Sequence, residues 1–151
     1  MRLALLTDLH ANREAFEACL AHAGRQGADQ YAFTGDLVGY GADPGWVVDM
    51  VMQHVARGAI VVQGNHDYSA TRETRPQMHA EAREVIEWTR SQLNSEQTAF
   101  LAQLPLTQER ANMLFVHASA ADPIKWEYIN TVEDAERSLR ATHCKLVFCG
   151  H

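Results

Sequence analysis

Five short apolar runs in this chain each end on a residue that can bind a metal ion, and no other feature constrains the fold as strongly. Leu3-Ala4-Leu5-Leu6 leads into Asp8 and His10. Tyr31-Ala32-Phe33 leads into Gly35-Asp36. Ala59 to Val62 leads into Gly64-Asn65-His66-Asp67. Met113 to Val116 leads into His117, and Lys145 to Cys149 leads into Gly150-His151. Apolar runs of this length read as buried strands. In an open α/β sheet, ligands sit outside the carboxyl ends of the strands, so parallel strands would bring all five sets of donors to one edge.

Helical signals fill the gaps between these runs. Asn12 is placed to cap a helix whose apolar residues Ala15, Phe16, Cys19, Leu20 and Ala23 keep helical spacing. Asp43-Pro44 opens a second helix, with proline at the first helical position and a stripe of Trp46, Val47, Met50, Val51 and Val55. The stretch from Tyr68 to Arg75 reads as a polar loop. Pro76 to Leu93 reads as a helix with Ala82, Val85, Ile86 and Thr89 facing inward. Asn94-Ser95 caps a short helix that Pro105 stops, and Thr131 with Asp134 starts a last helix running to about Thr142. Trp46 and Trp88 read as packing residues. His22, His54, His79 and His143 read as structural or exposed, on helices or at their ends. The order strand–helix–strand–helix–strand argues an α/β fold with a largely parallel first sheet.

The chain has 151 residues, which fits a single domain over residues 1–151. A net charge of −6 offers no basic face for a nucleic-acid backbone. An anionic substrate would therefore need bound cations. Cys19, Cys144 and Cys149 form no CxxC pair and are odd in number, so they read as reduced, buried thiols rather than a disulfide framework. The first apolar run is too short for a signal sequence or a membrane span, and Asp8 interrupts it. A cytoplasmic protein without a membrane partner is the expectation.

The donor types agree with one another. Carboxylate, imidazole and amide oxygen together suit Mn, Fe, Co, Ni or Zn. The set holds more donors than one ion needs, and a shared carboxylate could bridge two ions.

Asp8-x-His10, Gly35-Asp36, Gly64-Asn65-His66-Asp67, His117 and Gly150-His151 together resemble the successive motifs of the calcineurin-like metallophosphoesterases. The flanks Asp8-Leu9-His10-Ala11-Asn12 and Gly35-Asp36-Leu37-Val38-Gly39-Tyr40-Gly41 are similar to the small bacterial phosphodiesterase and phosphatase branch. The resemblance implies a β-sandwich flanked by helices, here truncated before its C-terminal strands. It implies two divalent metal ions, with manganese first among the candidates. Asp8 and His10 would bind the first ion, Asp36 would bridge, and Asn65, His117 and His151 would bind the second. His66 would protonate the leaving oxygen while a metal-bridging hydroxide attacks phosphorus.

The resemblance also marks departures. The family motif runs Gly-His-x-His, and its second histidine would fall beyond His151. The missing strands would leave an open sheet edge, which invites a homo-oligomer. The protein phosphatases carry an arginine after the second motif, preceded by aspartate, where this chain has Gly39 and Tyr40. That shifts the expected substrate to a small phosphodiester or phosphomonoester. Asn12, Arg72, Arg75 and Trp126 are candidate substrate contacts. A nucleotide-directed phosphatase or pyrophosphatase, or a metal-binding scaffold without catalysis, are the alternatives.

Overall fold

The computed structural model describes residues 2–72 and 80–151. β1 (Leu3–Leu6), β2 (Gln30–Phe33) and β3 (Ile60–Val61) form a parallel sheet with β2 in the centre. β4 (Thr107–Arg110), β5 (Met113–Val116) and β6 (Leu146–Phe148) form a second sheet, in which β4 runs antiparallel and β6 parallel to β5. Side chains alternate across a strand, so one strand serves two layers. Ala32 and Ile60 share a buried cluster with Phe115 of the second sheet, closed by Leu3, Met113 and Phe148. Their neighbours Phe33 and Val61 point the other way. They pack with Phe16 of α1 (Arg13–Arg25) and with Val47, Val48 and Val51 of α2 (Pro44–Ala56). Phe16 and Phe33 meet edge-on, 5.7 Å between ring centres. Burying an aromatic of this size contributes roughly 1.5–3 kcal/mol. The result is the expected α/β sandwich flanked by helices.

The caps hold as expected. Asn12 Oδ1 accepts the Ala15 amide at 3.0 Å. Reciprocal capping boxes start α5 (Ser95–Gln103) at Asn94 and α6 (Val132–Arg140) at Thr131.

Four expectations need correction. The polar stretch after His66 is not all loop, because α3 spans Asn65–Ala70. In α4 (Ala80–Gln92), Ile86 and Thr89 are buried, but Ala82 is exposed and Trp88 stands 42% exposed. β4 is a strand with no apolar run at all. It is half exposed, and Ala111 and Asn112, both at positive φ, turn it into β5 as a tight hairpin. The cysteines are free thiols, yet only Cys144 is buried. Arg75, Pro76 and His79 lie outside the described residues.

Two kinds of parallel pairing set up the site. β1, β2 and β3 end together, and so do β5 and β6. Main-chain bonds carry on past the strands: Thr34 N–H to Leu6 C=O at 3.0 Å, Asp8 N–H to Gly35 C=O at 3.1 Å and Gly150 N–H to His117 C=O at 2.9 Å. The motif residues are thus held by backbone bonds on both sides.

Candidate metal centre at the strand ends

His117 follows β5, is fully buried, and has its tautomer set from behind. Its Nδ1 lies 2.8 Å from the Thr34 carbonyl, which can only accept, so Nδ1 carries the proton. In the neutral ring Nε2 is then a bare lone pair. Facing it are Asn65 Oδ1 at 3.0 Å, His151 Nδ1 at 3.1 Å and Asp36 Oδ2 at 3.3 Å. Three further atoms that can bind a cation converge on it. Donors bound at about 2.0–2.2 Å to a common ion stand about 3.0–3.5 Å apart. The spacing therefore fits a cation among these four atoms.

His10 repeats the device. Its Nδ1 lies 3.2 Å from the Val38 carbonyl, which leaves Nε2 turned to Asp8 Oδ1 and Asp36 Oδ2, each at 3.8 Å. Such carbonyl partners behind an imidazole orient metal ligands. Asp36 stands between the two imidazoles and only 2% exposed, with Oδ1 accepting the His66 amide at 2.9 Å. The other oxygen of Asp8 is occupied by the Thr7 hydroxyl and by the His151 amide, at 3.0 Å for the latter.

The charges are coupled. Burial works to raise the Asp36 carboxyl, but the His117 and His66 imidazoles outweigh it and hold it below the ordinary carboxylate value. Burial works to lower His117, but Asp36 outweighs it and raises the imidazole. His66 is lowered by burial and by the neighbouring histidines, against the pull of Asp36. Its ring makes no hydrogen bond among the described residues, unlike those of His10 and His117.

The backbone here is strained. Asp8, His10, Ala11, Asp36, Tyr40, Trp126 and His151 all sit at positive φ without being glycine. Each such residue costs on the order of 1–3 kcal/mol and persists only where its surroundings hold it. Gly64 has no room for a side chain, since a Cβ would collide with the Asp36 carboxylate and amide.

Asp67 does much of the holding. It is fully buried. Its Oδ1 accepts the Leu37 and Val38 amides at 2.9 and 3.1 Å, and its Oδ2 accepts the Gly64 amide at 2.9 Å. One carboxylate thus ties the second motif to the third. Burial and the nearby Asp36 push its carboxyl up to about 7, against these amides. Asp67→Ala would strand three buried donors, and a loss of roughly 3 kcal/mol is expected. A thermal melt should show a midpoint about 6–12 °C lower. Asp67→Asn, which can keep Oδ1's two bonds, should lose less.

Sequence reasoning missed Thr7 and Thr34 as supporting groups, and the ring contacts of Tyr40 and Tyr128. Tyr40 stands beside both His10 and His66, at 4.8 and 4.6 Å between ring centres. Tyr128 stacks on His151 at 4.1 Å. Thr34 supplies its carbonyl and Thr7 its hydroxyl. Of the candidate substrate contacts, Asn12 shares a cleft with Asp8 and His10. Trp126 stands edge-on to His117 at 5.9 Å. Arg72 is not brought into the cluster; its guanidinium lies over the Tyr68 ring at 3.7 Å.

The Calcineurin-like phosphoesterase family model matches residues 1–151. This chain belongs to that family. A crystal structure of a metallophosphoesterase from Sphaerobacter thermophilus superposes with a TM-score of 0.86 at 36% identity, covering 100% of this chain and 60% of that one. An uncharacterized protein of Methanocaldococcus jannaschii is 31% identical over 99% of this chain and 61% of its own length. A putative diadenosine tetraphosphatase of known structure matches with a TM-score of 0.59 at 25% identity, over 87% of this chain and 57% of its own. The chain thus spans about three fifths of these relatives. The family acts on phosphoesters with divalent metal ions, and the clusters of Asp36 with His10 and His66, and with His117 and His151, are candidate metal-binding groups. Among the described residues no helix is long and apolar enough to cross a membrane.

Proposed function

We propose that this chain hydrolyses a small phosphodiester or phosphomonoester at a centre built for two divalent ions. The observation that carries the reading is the convergence of Asp36 Oδ2, Asn65 Oδ1 and His151 Nδ1 on His117 Nε2 at 3.0–3.3 Å, the spacing of donors around a common ion. Asn65, His117 and His151 would hold one ion, Asp8 and His10 the other, and Asp36 both. When bound, such ions lower the pKa of a water and neutralise phosphate charge. The chain's own residues do the rest. Thr34 and Val38 keep the imidazole lone pairs turned inward. Asp36 holds the His66 amide, and through it sets His66 beside the ligands as the proton donor to the leaving oxygen. Manganese is the ion to load first, since the mixed oxygen and nitrogen donors suit it.

The test uses chelator-stripped protein reloaded with Mn²⁺, assayed on bis-p-nitrophenyl phosphate and on p-nitrophenyl phosphate. Turnover of at least one ester that requires the metal is expected. Folded, metal-loaded protein that turns over neither ester would leave a metal-binding scaffold instead.

A further inference from the structure

Beside the cluster, two clefts meet at Tyr40 and Gly41. The first, of about 490 Å³, is lined by Asp8, His10, Asn12 and Tyr40. The second, of about 390 Å³, is lined by Tyr40, Gly41, Ala42, Glu84, Val85 and Trp88. Tyr40 and Gly41 belong to both. Tyr40 is 69% exposed and Trp88 42%, so both rings are open to a ligand. An exposed tyrosine at φ 64° is strained, and its ring stands against both His10 and His66. The loop around it has little freedom to be elsewhere. A Cβ on Gly39 would press into the His66 ring, and one on Gly41 would collide with the His10 carbonyl.

We propose that the Tyr40–Trp88 cleft is a leaving-group subsite that takes a flat, uncharged aromatic, of the size of a nucleobase, attached to the phosphoester. This rests on the functional reading above. A phosphoryl group at the ligands would send its leaving group past His66, the proposed proton donor, and Tyr40 is the ring that His66 faces there. Beyond Tyr40 the cleft offers two aromatic faces and Val85, surfaces suited to stacking. Among the described residues the only charged group in it is Glu84, whose carboxylate repels a second phosphate. An uncharged ring fits these surfaces. Trp88 then has a use for its exposure that packing does not supply.

The experiment is equilibrium dialysis of Mn²⁺-loaded protein in the cold against AMP, ribose 5-phosphate and inorganic phosphate, with cleavage followed in the same vials. AMP should bind about 5- to 100-fold more tightly than ribose 5-phosphate, the span for one stacked base. Trp88→Ala and Tyr40→Leu should each shrink that ratio toward one. The ratio cancels any general loss of phosphate binding. A ratio near one in the unmodified protein overturns the subsite, and so does a preference for AMP that survives both substitutions. If inorganic phosphate itself fails to bind, the metal-centre reading falls and the subsite with it. If phosphate binds and AMP gains nothing, the subsite alone falls.

Discussion

Replacing Asp36 with asparagine should strip the protein of its bound metal and take phosphoester turnover to background. The side chain keeps its shape, and its amide oxygen can still accept the His66 N–H that Oδ1 accepts now. What changes is Oδ2, the atom 3.3 Å from His117 Nε2 and 3.8 Å from His10 Nε2. An NH₂ group there offers protons where both imidazoles offer lone pairs to a cation. Removing one partner of a buried charge pair costs about 3–5 kcal/mol, or roughly 10²- to 10³·⁵-fold in affinity. Both proposed ions should be affected, because Asp36 is the carboxylate they share. The measurement is metal content after gel filtration, with kcat on bis-p-nitrophenyl phosphate beside it. Glu17→Gln is the control, since Glu17 pairs with an exposed Arg13 outside this cluster. Metal content equal to the unmodified protein would mean that Asp36 is not the shared ligand.

That the candidate donors would meet in one place was readable from order alone. Asp8, Asp36, Asn65, His117 and His151 each follow a strand closely, and parallel pairing turns such a pattern into a place. The helices were readable too, where a cap and a stripe coincided, as at Asn12 and Thr131.

What escaped sequence reasoning escaped it for physical reasons. α3 starts inside a polar motif, so no apolar stripe announces it. The signal was Asp67, three residues past Gly64, accepting the N-cap amide. β4 carries Thr107-Gln108-Glu109-Arg110 because it forms the edge of its sheet, where alternation is weak. Trp88 fits a helical stripe by chemistry and not by position, since α4 turns Ile86 and Thr89 inward instead. The Tyr40 and Tyr128 contacts depend on left-handed backbone at Tyr40 and His151, residues with no glycine to advertise it. Tertiary holding, above all by Asp67, makes those conformations possible.

His66→Ala should separate catalysis from metal binding. His66 lies close enough to His10 and Asp36 for its ring to be a third ligand of the first ion. Among the described residues no carbonyl holds its ring, which suits the proposed role of proton donor. The two roles predict different losses. A missing ligand lowers metal content and slows every substrate alike. A missing proton donor leaves the metal in place and lowers kcat by about 10²- to 10⁴-fold where the leaving oxygen must be protonated. An acidic phenol departs without that proton, so the nitrophenyl esters should suffer least and an alkyl ester most. The leaving-group dependence of His66→Ala is therefore read beside its metal content, since only the two readouts together separate the roles. Unchanged metal with a loss that grows as the leaving group becomes more basic assigns the proton to His66. Lost metal with one uniform loss makes His66 a ligand, and the proton must then come from solvent.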